Sequence, residues 1–524
     1  MNQIRSRAAA AVALLLLGMS QMWTGACSRA AGPGGGPPPA GGPHGPDFAD
    51  ARARIDELVD RGNASVAVAV VKDGRILWEE AFGWEDVATR RRASVHSRYP
   101  IGSVSKPFTA TAVMILAERG DIDLAAPANR YLGTAQLTRP DGGAGQATVR
   151  DLLQHRGGLP SPHVTRFYLG ETRQPPGVEE TIRRYGVLID APGRRFAYSN
   201  LGYGALAHMV ARISRVTFAQ FLTREVFEPL GMTDTSIELD AIASRPGVTP
   251  YCEGRPVPGY RFDEEGSGRV WSSAHDLARF ALFHLGEPLA DQRPVLSERN
   301  RVAMAADARS TAIPGSAWGG GWFYGLGWGG READEHNHAR WYGHDGGIPG
   351  ALAELRLIPD RRLAVVVLSN DERVPTKEIL ELILDAMIPG SSWTRREDPA
   401  RGGRTAASFA APADLIGSWS GEIRTWSATI PIQLDVRRDG ARVRLGSAAA
   451  VGLDGLEVFD GRLRGRSPGR LPAPDLEGVP YELWYELRRD RDHLVGAVYA
   501  ADTAPLRHFV LPSWVKMRRI ERAQ

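Results

Sequence analysis

Residues 101–110 read Ile101-Gly102-Ser103-Val104-Ser105-Lys106-Pro107-Phe108-Thr109-Ala110, and the reading of this stretch as helix or strand decides the fold. Residues three apart share one face of a helix, whereas in a strand they point to opposite faces. Gly102 precedes a helix-forming run in which Phe108, Val113, Ile115 and Leu116 supply apolar surface, so Ser103 opens a helix and Lys106 stands one turn along its face. Pro107 fits because it falls within about the first turn, where a missing amide hydrogen bond costs least. A helix N-terminus carries a partial positive charge and unpaired amides, which stabilise an alkoxide and a developing oxyanion. A buried lysine near other cationic groups has a depressed pKa and can take a serine proton. Taken alone, the same ten residues fit Ser103 as a helix cap and Lys106 as a solvated charge equally well.

Lysine is scarce elsewhere. The chain carries 64 Lys+Arg, yet lysine occurs only at Lys72, Lys106, Lys377 and Lys516. Arginine keeps its proton under all ordinary conditions, so a lysine is where a titratable amine can be supplied. The Ser-x-x-Lys spacing itself is unspecific, because Ser513-Trp514-Val515-Lys516 repeats it beside the extended run His508-Phe509-Val510-Leu511-Pro512. In a strand Ser513 and Lys516 do not meet.

At 524 residues the chain exceeds one ordinary compact core and calls for two or three domains. Its 43% hydrophobic and 24% charged residues are those of a globular protein, and a net charge of +3 gives no reason to expect a nucleic-acid partner. Arg5 and Arg7 precede an apolar run from Ala8 to Met19, followed by Thr24-Gly25-Ala26: the layout of a secretory leader, too short to span a bilayer comfortably. Cys27 then stands where a bacterial lipoprotein is lipidated, although Thr24 holds the place usually taken by leucine. Export to the periplasm or cell surface is expected, with a possible membrane tether through Cys27. With Cys27 lipidated or cleaved away, only Cys252 would then remain, so no intramolecular disulfide is expected in the mature chain.

The organisation expected is a leader over 1–26, a Gly/Pro-rich tether over 27–46, an α+β domain over 47–390, a linker over 391–413 and a β domain over 414–524. Asp47 to Val59 reads as a helix, and Ser65–Val71 and Arg75–Phe82 as strands joined by Asp73-Gly74. Helix signals dominate from Ser103 to about Leu285; strand signals return at Ala351–Leu357 and Leu363–Leu368, and a helix closes the region at Glu378–Ile388. Strands at both ends with helices between them predict an antiparallel sheet assembled from the two chain ends, flanked by helices, with a helical insertion. Alternation at Ile430–Val436 and Arg442–Leu445 around Asp439-Gly440 predicts a small C-terminal all-β barrel or sandwich.

Two further stretches carry possible chemistry. Phe196-Ala197-Tyr198-Ser199-Asn200-Leu201-Gly202-Tyr203 reads by itself as a turn. Trp341-Tyr342-Gly343-His344-Asp345-Gly346-Gly347 is a Gly-rich stretch leading into the strand at Ala351, where glycine lets a substrate lie against the backbone. The His-x-Gly form is unspecific, since His155-Arg156-Gly157 and His284-Leu285-Gly286 share it.

Together these stretches resemble the serine β-lactamase and penicillin-binding-protein superfamily, nearest its class C β-lactamase-like branch of D,D-peptidases, D-amino-acid-specific peptidases and esterases. The resemblance covers about Asp47 to Ile388 and rests on IGSVSKPFTA (101–110), YSN (198–200) and GHDGG (343–347), in that order. LLQHRGGLP (152–160), SSAHDLARF (272–280) and YGLGW (324–328) support it. The resemblance implies that Ser103 is the acylated nucleophile, with Lys106 helping to remove its proton. Tyr198, near two cationic groups, is implied as general base and then acid, and Asn200 as the residue that positions Lys106 and binds substrate. His344, Gly346 and Gly347 line the substrate strand, with the amides of Ser103 and Gly347 as oxyanion hole and no cofactor required. Asp345 replaces the usual Thr or Ser, and an acidic side chain in the pocket would repel a substrate carboxylate. That favours esters and small amides or peptides over D-Ala-D-Ala-like substrates of a D,D-carboxypeptidase or β-lactamase.

Two other readings compete. Asp334-Glu335-His336-Asn337-His338 with His344 would suit a metal-dependent hydrolase if a strand put His336 and His338 on one face. A catalytically inactive, exported ligand-binding protein is the other; the retention of Ser103, Lys106 and Tyr198 argues against it.

Overall fold

The computed structural model describes residues 46–62, 65–161, 163–165, 167–168, 175–237, 247–306, 322–334, 338–393, 409–504 and 509–520. The leader, the tether with Cys27, His336 and residues 394–408 of the linker lie outside the described residues.

The α+β domain is built on an eight-stranded antiparallel sheet. Its elements used below are α1 (Ala49–Asp60), β1 (Ser65–Lys72), β2 (Arg75–Asp86), α2 (Ser105–Glu118), α3 (Asn200–Ser214), α4 (Glu265–Gly268), α5 (Ala274–Leu285), β3 (Trp322–Tyr324), β4 (Gly329–Arg331), β5 (Trp341–Ile348), β6 (Ala351–Ile358), β7 (Leu363–Ser369) and α6 (Thr376–Met387). The strand order is β3-β4-β5-β6-β7-β1-β2, closed by the two-residue strand Arg91–Arg92. β1 and β7 lie side by side in register Val66↔Ser369 to Lys72↔Leu363, so the two ends of the domain meet at the middle of the sheet.

Both faces of these central strands are covered, which explains why they read as continuous apolar runs rather than alternating ones. Val66, Val68 and Val70 pack with Ile55 and Leu58 of α1 and Ile379, Ile383 and Leu384 of α6. Ala67, Ala69 and Val71 face the larger core, which holds Phe108 of α2, Leu206 of α3 and Phe280 of α5. α2 is buried from Ser105 to Leu116, and its alanines and threonines let neighbours approach closely. Ser273 caps α5, its Oγ accepting from the Asp276 amide at 3.1 Å, and Gly286 ends it at φ +83°.

β5 differs from expectation. The Gly-rich stretch is itself a strand, paired with β6 from Tyr342↔Leu357 to Ile348↔Ala351. Its glycines mark close backbone approach rather than a loop, since a Cβ at Gly343 would sit 2.1 Å from the Leu355 carbonyl oxygen.

The C-terminal domain is a nearly closed antiparallel barrel of β8 (Gly417–Arg424), β9 (Thr429–Arg437), β10 (Gly440–Leu445), β11 (Val451–Gly452), β12 (Asp454–Phe459), β13 (Arg462–Ser467), β14 (Tyr481–Asp490), β15 (His493–Asp502) and β16 (Phe509–Arg519). The order is β11-β10-β9-β8-β16-β15-β14-β13-β12, which brings the sequence neighbours β11 and β12 to its two ends. Ser513 is buried and Lys516 exposed on β16, so this second Ser-x-x-Lys points to opposite faces, as the strand reading requires. Val164–Thr165 of the first domain adds to the barrel by pairing with Phe509–Val510. Asp190 of the first domain takes Arg462 and Arg488 of the barrel at 2.5 and 2.8 Å.

Candidate active site

The Ser103 turn is held by glycine on both sides. Gly102 sits at φ +50°, and a Cβ there would lie 2.9 Å from the Gly347 amide nitrogen. On β5, a Cβ at Gly346 would lie 2.0 Å from the Ile101 carbonyl oxygen and 3.3 Å from the Ser103 amide. The backbone of the turn therefore rests directly on the backbone of β5. Gly102–Val104 forms one 3₁₀ turn that runs into α2, with Pro107 in the first α-helical turn.

Lys106 is fully buried one turn beyond Ser103. Its Nζ lies 3.0 Å from Ser103 Oγ, 2.9 Å from Asn200 Oδ1 and 2.8 Å from the Ser267 carbonyl oxygen. α4 presents that carbonyl because Thr109 of α2 donates to the Gly266 oxygen at 2.7 Å and Ser105 Oγ accepts from the Val270 amide at 3.0 Å. Two of the three partners are carbonyl oxygens, which can only accept. A neutral amine spends both N–H bonds on them and turns its lone pair to the Ser103 hydroxyl. Burial pushes the Lys106 pKa well below its ordinary value, and Glu264 works against that shift.

Tyr198 precedes α3, whose cap is Ser199: its Oγ accepts from the Gly202 amide at 3.1 Å. The Tyr198 hydroxyl is buried and faces Ser103, the side chain that eases its ionisation, without closing a hydrogen bond. Burial nevertheless raises its pKa, so it keeps its proton. Lys106 Nζ lies 4.7 Å from its ring centre.

His344 is buried on the same side of the sheet, its Nδ1 donating to the Asp345 carbonyl at 2.7 Å and its Nε2 accepting from the Tyr324 hydroxyl at 3.0 Å. Burial first, and Lys106 second, push its pKa down to about 4. Beside Tyr198 stand a neutral imidazole at His344 and, at Lys106, an amine whose charge burial disfavours, in place of two fixed cations.

Asp345 also departs from expectation. Strand alternation turns it to the opposite face from His344 and Gly346. There Arg356 donates to its Oδ1 at 3.1 Å while stacking on Trp341 at 3.9 Å, and Glu354 stands directly across the ladder. From that face Asp345 does not point into the Ser103 pocket, although its charge still acts on Tyr198 and His344 through the sheet.

Four partners escaped the sequence reading. Tyr324 figures in the sequence only within YGLGW and carries no role there, while His163 and the neighbouring Glu264 and Ser267 are brought to the site by folding alone. His155, read as an unspecific His-x-Gly match and as part of the supporting LLQHRGGLP stretch but given no role, packs tilted against Tyr198 with ring centres 4.2 Å apart. The expected metal ligands do not converge among the described residues. His338 donates from Nε2 to the Gly390 carbonyl at 3.0 Å, His344 is engaged as above, and no cluster of three or more His, Cys, Asp or Glu suits a metal ion.

A sequence model of the beta-lactamase family matches residues 51–387. The human protein beta-lactamase-like 1 is 26% identical over 372 residues, covering 67% of this chain and 71% of that protein. Protein flp of Staphylococcus aureus is 24% identical over 340 residues, covering 62% of this chain and 65% of flp. The octameric penicillin-binding protein homologue from Pyrococcus abyssi superposes with a TM-score of 0.57 at 22% identity, over 90% of this chain and 100% of that one. SurE with D-Leu gives a TM-score of 0.58 at 22% identity, over 90% and 99%. At that identity the likeness is one of fold, and coverage this wide takes in the C-terminal barrel.

Proposed function

This chain belongs to the beta-lactamase family, and from that membership we propose that it is an exported serine hydrolase working through an acyl-enzyme on Ser103, with esters and small amides or peptides as substrates. One observation carries the reading: Lys106 Nζ lies 3.0 Å from Ser103 Oγ with its remaining donors tied to Asn200 Oδ1 and the Ser267 carbonyl. In this reading Nζ takes the serine proton as Oγ attacks the substrate carbonyl carbon. The carbonyl π electrons move to oxygen, held by the amides of Ser103 and Gly347. Collapse returns them and breaks the bond to the leaving group, which leaves with the Tyr198 proton; Lys106 then restores the proton to Tyr198. Water attacks the acyl-enzyme by the same steps in reverse order. Raised by burial, Tyr198 serves better as acid than as resting base.

The preference for esters and small amides now has a different basis. Asp345 faces away, but His344 is neutral at physiological pH, so β5 offers a substrate carboxylate a hydrogen-bonding surface and no fixed positive charge. The turn of Asp345 away from the pocket also favours, as a second reading, D-Ala-D-Ala-like substrates, in keeping with the penicillin-binding-protein relationship of one structural neighbour. Side-by-side turnover of a p-nitrophenyl ester, a D-amino-acid amide, a D-Ala-D-Ala peptide and nitrocefin ranks these substrates. A fluorophosphonate mass shift on the wild type that is absent in Ser103→Ala supports the acyl-enzyme; an equal shift in Ser103→Ala sinks it.

A further inference from the structure

Behind Lys106 lies a second buried acid–base pair that the mechanism above does not use. Glu264 immediately precedes α4, and its carboxylate Oε1 is hydrogen-bonded to His163 Nδ1; both side chains are almost wholly buried, at 3% and 0% exposure. Two bridges join this pair to the lysine. Asn200 accepts from Lys106 at Oδ1 and donates from Nδ2 to the His163 carbonyl at 3.3 Å. Ser267, whose carbonyl accepts from Lys106, sits on the one-turn helix that follows Glu264, its amide donating to the Glu264 carbonyl at 2.8 Å.

We propose that Glu264 and His163 are positioning residues for the Ser103 reaction: a carboxylate–imidazole pair that sets how much negative charge Lys106 sees, and hence whether it is an amine or an ammonium. The proposal rests on the reading of Lys106 as the group that takes the serine proton.

The chemistry follows from which charges can reach which. A bare carboxylate next to a buried lysine holds the ammonium, which cannot accept a proton. Pairing that carboxylate with an imidazole that donates to it weakens the negative field at the lysine without abolishing it, and the lysine is moved toward its free-base form. Burial opposes the charged forms of both partners; each is drawn the other way by the other, with His163 raised overall and Glu264 also raised. The remaining titratable groups do not provide this compensation. Tyr198 and Tyr203 face Lys106 from α3 and the segment before it, and both keep their protons. His155 and His344 face it as neutral rings. On the far side, Asp263 lies near the pair, and the Tyr185 ring packs tilted against His163 with centres 4.9 Å apart while its hydroxyl donates to Asp475 of the barrel. His163 also directly precedes the strand Val164–Thr165 that adds to the barrel. The C-terminal domain thereby braces the residue that pairs with Glu264.

The two substitutions are expected to act in opposite directions. Glu264→Gln removes the charge that holds the Lys106 proton and lowers its pKa; His163→Gln leaves the carboxylate unpaired and raises it, each by roughly one unit. With only four lysines in the chain, ¹³Cε-lysine NMR titration reads Lys106 directly. Performed in a Ser103→Ala background it needs no activity, so a failed acyl-enzyme assignment and a failed charge-setting role are told apart. In active protein, the acidic limb of kcat/KM should move down in Glu264→Gln and up in His163→Gln, with the double variant between them. Unmoved limbs, or limbs displaced in the same direction, overturn the proposal whatever happens to kcat. If Glu264→Gln gives no cooperative melt, Glu264→Asp, which withdraws the carboxylate by one methylene, should lower the Lys106 pKa by a smaller amount; no shift there overturns the proposal equally.

Discussion

The backbone amide of Ser199 donates to Nδ1 of His155 at 3.0 Å, and the His155 ring lies 4.2 Å from that of Tyr198, the residue before Ser199. His155 also takes the Ala197 amide on its own carbonyl at 2.7 Å. One residue thus fixes the backbone on both sides of Tyr198 and backs its ring. Because the Ser199 amide is buried, it needs that acceptor.

Replacing His155 with Leu should therefore misplace Tyr198 and lower kcat by about 10²-fold, the usual effect of an ångström-scale shift in a catalytic group. KM should change little. His155→Asn, whose side-chain oxygen can still accept from the Ser199 amide, should recover part of the loss. Steady-state kinetics on all three proteins checks this; equal losses in Leu and Asn would show that the acceptor does not matter.

His155 illustrates what the sequence could and could not convey. The apolar runs of β1 and β7, the hairpin at Asp73-Gly74 and the helix beginning at Ser103 follow from local patterns, and the structure contains them. β4 and β5 are not legible because glycine in a strand looks like a loop until the backbone pressing on it is known. The pairing of Glu264 with His163 spans 101 residues, and no local period encodes a contact at that separation. Asp345 was misplaced for a similar reason: only once β5 is known to be a strand does alternation turn its side chain away from Ser103.

That correction has its own test. Asp345→Thr restores the residue type expected at this position, yet it should leave the ranking of ester, amide and β-lactam substrates unchanged, because the side chain lies across the sheet from Ser103. Its effect should fall on stability. Arg356, only 6% exposed, loses the contact at 3.1 Å, and Glu354 is left as its acidic neighbour. A fall of about 1–3 kcal/mol in unfolding free energy is expected for removing one partner of a buried charged hydrogen bond. Denaturant melts beside the four-substrate comparison separate the two effects.

His344 should make the fold sensitive to acid. Its pKa is about 4 in the folded chain against 6.5 for an unperturbed histidine, because burial disfavours the imidazolium. Between those values the unfolded chain binds a proton that the folded chain does not, so stability rises with pH across the window and falls on acidification from about 6.5 to about 4. The difference amounts to about 3 kcal/mol at the lower end. His344→Gln, which can still donate to the Asp345 carbonyl and accept from Tyr324, should flatten the dependence of Tm on pH within that window. A Tm profile parallel to the wild type would remove His344 as the cause.

Asp190 should govern how the two domains unfold. It is 7% exposed and lies between Arg462, 2% exposed, and Arg488, so its carboxylate neutralises charge that the barrel brings to the contact. Burial raises its pKa, but the arginines hold it below the ordinary value overall. Its contribution is therefore present above the ordinary carboxylate range and is lost as pH falls below that range through the depressed folded pKa. Asp190→Asn leaves Arg462 with Glu486 at 3.3 Å and takes away its closest partner. Breaking one side of a buried pair costs about 3 kcal/mol or more, because the remaining charge stays desolvated. Being shielded from solvent, the pair should respond little to added salt. Calorimetry should therefore show the single transition of the wild type splitting in Asp190→Asn, the barrel melting first, at both low and moderate ionic strength. A variant that melts as one unit at the wild-type temperature would mean that the other contacts between the domains, such as Val164–Thr165 with Phe509–Val510, Arg184 and Tyr185 with Asp475, and Arg195 with Asp460, couple them without Asp190.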